Sequence, residues 1–290
     1  MIFDPFIDPF IDNGFMLRAL AAGVLVAIAC AVVGTFVVLR GLAFIGDALA
    51  HGVLPGIAAA ILLGLPGMLG AAVGAVVMIG GVTLVTQRSR LSSDTAIGLL
   101  FVAMLALGVV IVSASGAFQG DLLAILFGEM LGTSTEQLLV MAVATMVVVI
   151  VAVLAARPFL LLSFDPEQAD VAGFPSRRYH TLMMLLVALT VVVAFQTVGT
   201  LLVFGMLLAP AATGALMANR ISLMMAIAVI VGSLSTYLGL LVSYWFDIAA
   251  SATVVLIAVA IFFLTLALAN LREPRRDMEA TDPLAGETLP

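Results

Sequence analysis

No lysine occurs in this 290-residue chain, and all eleven basic residues are arginine. A nucleotide-binding P-loop needs a lysine against the phosphates, so any ATP chemistry belongs to a partner. There is one cysteine, Cys30. This excludes an internal disulfide and any thiolate-rich metal site, and its apolar surroundings read as those of a small buried hydrophobe. Two histidines and one tryptophan complete the scarce residues. Charge is scarcest of all. Charged residues make up 10% and hydrophobic residues 64%, where a soluble domain carries about a quarter and about a half. The net charge of −6 offers no basic patch, and no nucleic-acid partner is expected. The first residues, Met1 to Phe10, carry Asp4 and Asp8 and no basic residue, unlike a cleavable signal peptide.

What is present in their place is a succession of apolar runs. Mean hydropathy is +1.30. Stretches of about 20 apolar residues, each long enough for a bilayer core of about 30 Å, recur at Phe15–Leu39, Leu42–Leu63, Pro66–Thr86, Thr95–Ala114, Leu138–Ala156, Thr181–Thr197, Gly199–Ala218, Ser222–Ser243 and Ile248–Ala269. The expected fold is all-α: a polytopic transmembrane bundle of eight or nine spans. Leu122–Leu131 is too short to span and reads as a re-entrant or interfacial helix. Residues 1–14 read as an outer interfacial segment with Phe rings at the headgroups. Residues 15–270 read as the membrane domain, and 271–290 as a charged, disordered tail.

Arginine placement orients the bundle. With the N-terminus outside, Arg40, Arg88, Arg90, Arg157, Arg177, Arg178, Arg220, Arg272, Arg275 and Arg276 fall in the cytoplasm, and Arg18 alone lies at the outer side. The same rule bears on His180–Arg220. A single long helix would place Arg220 opposite Arg177 and Arg178, whereas two passes broken at Gln196-Thr197-Val198-Gly199 bring them together.

Two features carry chemistry. Asp47 and His51 stand four residues apart in the second span, on one helix face. Counted from Gly41 at 1.5 Å per residue they lie at depths of about 9 and 15 Å. Ionisable groups there are costly and mark function by default, and oxygen plus imidazole nitrogen suits manganese, iron or zinc, not copper(I). Three readings of the pair are open on these grounds: a metal path, a proton relay, or a hydrogen-bonded tie between helices. The second feature is the polar segment Ser163–Tyr179. Asp165 as N-cap, Pro166 in the first turn, and Gly173 with Pro175 beyond predict a short helix over about Pro166–Ala172. In an importer such a helix is the lever a cytoplasmic ATPase pushes; otherwise it is a plain connector. His180 reads as interfacial, and Tyr244 and Trp245 as an aromatic belt.

Several of these segments together resemble a known family. They are Gly46-Asp47-Ala48 with His51 and Val53-Leu54-Pro55-Gly56; Asp94-Thr95-Ala96-Ile97-Gly98; Leu126-Phe127-Gly128; Phe164-Asp165-Pro166-Glu167 with Ala172-Gly173; and Phe195 through Leu202 followed by Pro210-Ala211-Ala212. In this order, over about residues 15–270, they resemble the manganese/zinc/iron permeases of ABC importers, the metal branch of the group that includes vitamin B12 and siderophore permeases. The resemblance implies a bacterial plasma-membrane permease that acts as a homodimer, with two ATPase subunits and an extracytoplasmic metal-binding protein. It implies a divalent metal as cargo and no permanently held cofactor or catalytic residue. It further implies that Asp47 and His51 line the path at the dimer axis, and that Asp165, Pro166, Glu167, Ala169 and Gly173 belong to the coupling helix. A proton-coupled secondary transporter and a siderophore or cobalamin permease are the alternatives.

Overall fold

The computed structural model describes residues 4–115, 128 and 130–272. All regular structure among them is helical: α1 (Asp4–Asp12), α2 (Gly14–Leu39), α3 (Ile45–Gly52), α4 (Leu54–Leu62), α5 (Gly67–Arg88), α6 (Ser93–Ser115), α7 (Thr135–Leu154), α8 (Ala156–Phe164), α9 (Pro166–Val171), α10 (Ser176–Met217), α11 (Ile221–Phe246) and α12 (Ala250–Arg272), with a 3₁₀ turn at Met130–Gly132. Eight helices, counting α3–α4 as one, are long and apolar enough to cross a membrane, and Leu202–Met217 adds a shorter apolar one. Except for Gly128 and the 3₁₀ turn, the expected re-entrant helix at Leu122–Leu131 lies outside the described residues, as does the tail from residue 273.

α2 is the central post. Residues 29–37 are buried consecutively, which an amphipathic surface helix could not manage; only neighbours on every side achieve it. α10, α11, α7 and α8 supply those neighbours, and α12 packs on α10 and α11. Apolar matching cannot drive this packing in lipid, so close backbone approach does. α4 and α5 touch where Gly56 and Gly70 each face the other's carbonyl, with no room for a Cβ on either. Gly56→Val should therefore force the helices apart and cost about 1–3 kcal/mol. Thermal unfolding of the purified permease checks this, with Gly80→Val, at a site with open space around it, as the neutral control. Buried hydroxyls answer the other demand of a bilayer, that no polar group go unpaired. Thr35, Thr190, Thr213, Ser235 and Thr236 each donate to the carbonyl four residues back, at 2.8–2.9 Å.

α10 is where the eight-or-nine question is decided. Arg40 bonds His180 at 2.7 Å. Six residues back along α2, Gly34 abuts the carbonyl of Leu207. Those six residues rise about 9 Å, whereas a straight helix from His180 to Leu207 would rise about 40 Å. The chain must double back between them. It does so at Gly199, where φ is 76° and ψ 166°, a conformation open to glycine and strained for any other residue. Cys30 Sγ then reaches Val203 O at 3.9 Å on the returning limb. The crossing is a hairpin with a shorter second limb, and Arg177, Arg178 and Arg220 share one end of the bundle.

Two local readings change. Residues 157–162, outside every element expected from the sequence, are helical: α8 occupies them because Phe159 and Leu162 are buried, with Pro158 tolerated in the first turn. Phe10 does not face the headgroups; it is buried and stacks on Tyr237 with ring centroids 5.3 Å apart. Arg18, the one arginine expected at the opposite end from the others, donates from Nε to Thr133 O at 3.1 Å.

Candidate metal path and coupling segment

The second span is two short helices. Pro55 has no N–H to offer the turn before it, and α3 gives way to α4 at Val53. A tight corner, Arg40–Phe44, precedes α3. Leu42 N–H donates to Val37 O, and Ile45 N–H to Leu42 O, both at 3.1 Å. The corner thus sets where α3 starts and hence where Asp47 stands, in its first turn. Gly52 packs on Met78, which lies ten residues from the end of α5 at Arg88. That puts His51 about 15 Å inside the bundle and Asp47 one turn shallower, in line with the count from Gly41.

His51 Nε2 lies 3.4 Å from Asp47 Oδ1, and the two side chains are 21% and 34% exposed. This separation exceeds that of a good hydrogen bond. His51 Nδ1 is buried with no hydrogen-bond partner among the described residues, and the ring meets Phe101 edge-on at 5.7 Å. A purely structural pair would be closed and satisfied; this one is neither. Asp47 faces an open cleft of about 500 Å³ between α3 and α6, lined by Phe44, Asp47 and Ala48 on one side and Asp94, Thr95, Ile97, Gly98, Phe101 and Val102 on the other. Asp94, read from the sequence only as part of a motif, shares this cleft. No third histidine, cysteine or carboxylate joins Asp47 and His51 within metal-binding reach among the described residues. One chain therefore offers two donors, half of what a tetrahedral ion takes.

The expected cytoplasmic helix is present as α9. Asp165 accepts from the N–H groups of Glu167 and Gln168 at 2.9 and 3.1 Å, as its N-cap position requires. Ala169 is buried, whereas Phe164 and Val171 are 74% and 91% exposed. Gly173 turns the chain at φ 84°. Asp170 then caps α10: its carboxylate accepts from Ser176 N–H at 2.7 Å and Ser176 Oγ–H at 2.8 Å. These bonds favour the ionised form and hold the carboxyl below its ordinary value. The sequence had not singled out Asp170, because a capping signal is read at the residue directly before a helix and this one lies six residues away. Nor is His180 merely interfacial. It is half-buried and takes a bond from Arg40.

The family model described as "ABC 3 transport family" matches residues 12–269. The chain belongs to this family. Among its relatives, the "Manganese transport system membrane protein MntC" of Halalkalibacterium halodurans is 39% identical over 259 residues, covering 89% of each chain. The "Probable iron transport system membrane protein" of Haemophilus influenzae is 35% identical over 93% of this chain and 99% of its own. Among solved structures, "PsaBC from Streptococcus pneumoniae in complex with Fab" superposes with a TM-score of 0.82 at 33% identity, over 94% of this chain and all of that one. The family reached from the motifs of the sequence is thus the family these comparisons return, and the membership covers the membrane bundle while α1 lies almost wholly outside the matched residues.

Proposed function

We propose that this chain is the membrane-spanning subunit of an ATP-driven importer of divalent metal ions, with manganese, zinc and iron as the candidate cargoes. The observation that carries the reading is the Asp47–His51 pair. His51 lies about 15 Å deep and Asp47 one turn shallower, loosely paired, at an open cleft, and with half a donor set among the described residues of one chain. A second copy of the chain supplies the other half. Two such pairs give two carboxylates and two imidazoles, a donor set suited to manganese, iron or zinc. The names of the manganese and iron relatives support the cargo class. The absent P-loop lysine supports a separate ATPase, two copies of which engage α9 of each protomer. A metal-binding protein delivers the ion on the outer face of the bacterial plasma membrane. ATP binding closes the ATPases, α9 transmits the movement, and the ion passes Asp47 and His51, whose ligation is weak enough to release it.

Reconstitution of the permease with its ATPase and binding protein tests this. Radioactive manganese and zinc should accumulate in vesicles only with ATP. Uptake driven by a proton gradient with no ATPase present would instead make the chain a secondary transporter. The orientation has its own test, in a Cys30→Ala background. A cysteine at Leu65 should react with an impermeant maleimide on intact cells, and one at Ser89 only after permeabilisation. The opposite pattern would invert the bundle.

A further inference from the structure

We infer that Arg40 with His180, and the rings of Phe36, Phe159 and Tyr179, are positioning residues that clamp the corner carrying Asp47 to the coupling segment, so that the two move as one body. This rests on the reading of α9 as the coupling helix.

The connection can be followed atom by atom. Phe174, just beyond α9, is fixed to that helix by its N–H to Ala169 O at 2.9 Å. Its ring meets Tyr179 edge-on at 5.8 Å. Tyr179 meets Phe159 of α8 at 6.3 Å, and Phe159 meets Phe36 of α2 at 5.1 Å. Phe36 and Phe159 are fully buried, in a close-packed interior that transmits displacement because side chains have nowhere to yield. Edge-to-face geometry adds a preferred orientation at each step. Val37, next to Phe36, accepts the Leu42 bond of the corner, and Leu42 accepts the bond of Ile45, where α3 begins two residues before Asp47.

A second fastening runs beside the first. Arg40, at the corner, donates from Nη1 to His180 Nδ1 at 2.7 Å. Guanidinium cannot accept, so Nδ1 is the acceptor and the imidazole carries its proton on Nε2. Tyr179 and His180 are adjacent in the first turn and a half of α10, directly after Asp170 has capped that helix through Ser176. A single helix start therefore receives both links, one apolar and one polar, from the same corner.

The complete complex of permease, ATPase and binding protein in vesicles provides the test, read as metal ions imported per ATP hydrolysed. Tyr179→Leu with His180→Leu should lower that ratio about tenfold while hydrolysis continues. Tyr179→Phe and His180→Asn, which keep the ring and an acceptor, should leave it within about twofold of the parent value. A role confined to stability lowers the yield of complex and leaves the ratio unchanged, and an unchanged ratio in the Leu variants overturns the clamp. The single Leu variants each retain one fastening and serve if the double variant does not assemble. A cargo-independent measurement accompanies these. Spin labels at the exposed positions Phe44 and Val171, in labelled permease diluted with unlabelled copies, should keep one separation with and without nucleotide. A nucleotide-dependent change in the unsubstituted protein refutes the clamp. Failure of the unsubstituted complex to import manganese or zinc would refute the cargo while leaving the distance result to stand.

Discussion

Asp47→Ala and His51→Ala are each expected to lower metal uptake per assembled complex by about 100-fold, with insertion and ATPase association retained. An ion that sheds its water in a low-dielectric passage needs replacement ligands. Asp47 contributes negative charge and a hard oxygen, and His51 a nitrogen one turn away. Loss of either costs about 3 kcal/mol of the ion's stabilisation, which is about 100-fold. If the pair serves only to tie helices, the outcome differs in kind. Each single change would then leave a partner unpaired and chiefly reduce yield, and the double change would recover much of it. Uptake should therefore be normalised to complex, with manganese and zinc measured in parallel. Near-normal uptake in the Asp47→Ala/His51→Ala double variant would show that the pair is structural. The open 3.4 Å separation and the unpartnered Nδ1 argue against that outcome.

The second large effect is expected at α9. Glu167→Arg and Gly173→Pro should each weaken ATPase association or its stimulation by about tenfold, while the permease still inserts. Glu167 stands in the first turn, where an acid is favoured by the helix dipole, and reversal of its charge changes what a docking surface meets. Gly173 holds φ at 84°, and its N–H bonds Asp170 O at 3.1 Å. Proline fixes φ near −65° and has no N–H, so it undoes both the turn and the bond, and with them the line of approach to Asp170 and α10. Co-purification of the ATPase and its stimulation by the permease are the measurements. Full transport with unchanged stimulation in both variants would remove this segment from coupling. The two sets of variants separate two functions: the first should stop the ion while hydrolysis remains responsive, and the second should unhook the motor.

Much of the local geometry of this candidate site was legible in the sequence because its signals are local. Asp47 and His51 needed only the helical repeat and a depth count. The capping of α9 needed only Asp165, Pro166 and the glycine beyond. The polar break at residues 196–199 located the turn of the hairpin. Other readings failed where the decisive partner is distant in sequence. α8 was assigned to no element because nothing nearby announces that Phe159 will be buried against Phe36 and Tyr179. Phe10 was assigned to the headgroups because Tyr237 lies far along the chain. Asp94 was only a motif letter until α6 packed across from α3.

Composition and spacing by themselves determined that the chain crosses a membrane as helices, which end of the bundle gathers the arginines, and which two ionisable side chains stand one turn apart in the second span. Those properties follow from how much apolar length each segment has and from the cost of charge in hydrocarbon, and neither depends on neighbours. Only the tertiary structure decided which helices touch. In these spans nearly every face is apolar, so no stripe marks the buried side, and contact is settled by where small residues admit a backbone and where a long side chain finds its one partner. The return of the chain at Gly199, the half-set of donors at the cleft, and the two fastenings from α10 to the corner before Asp47 all arise at that level, because each joins residues that the sequence sets far apart.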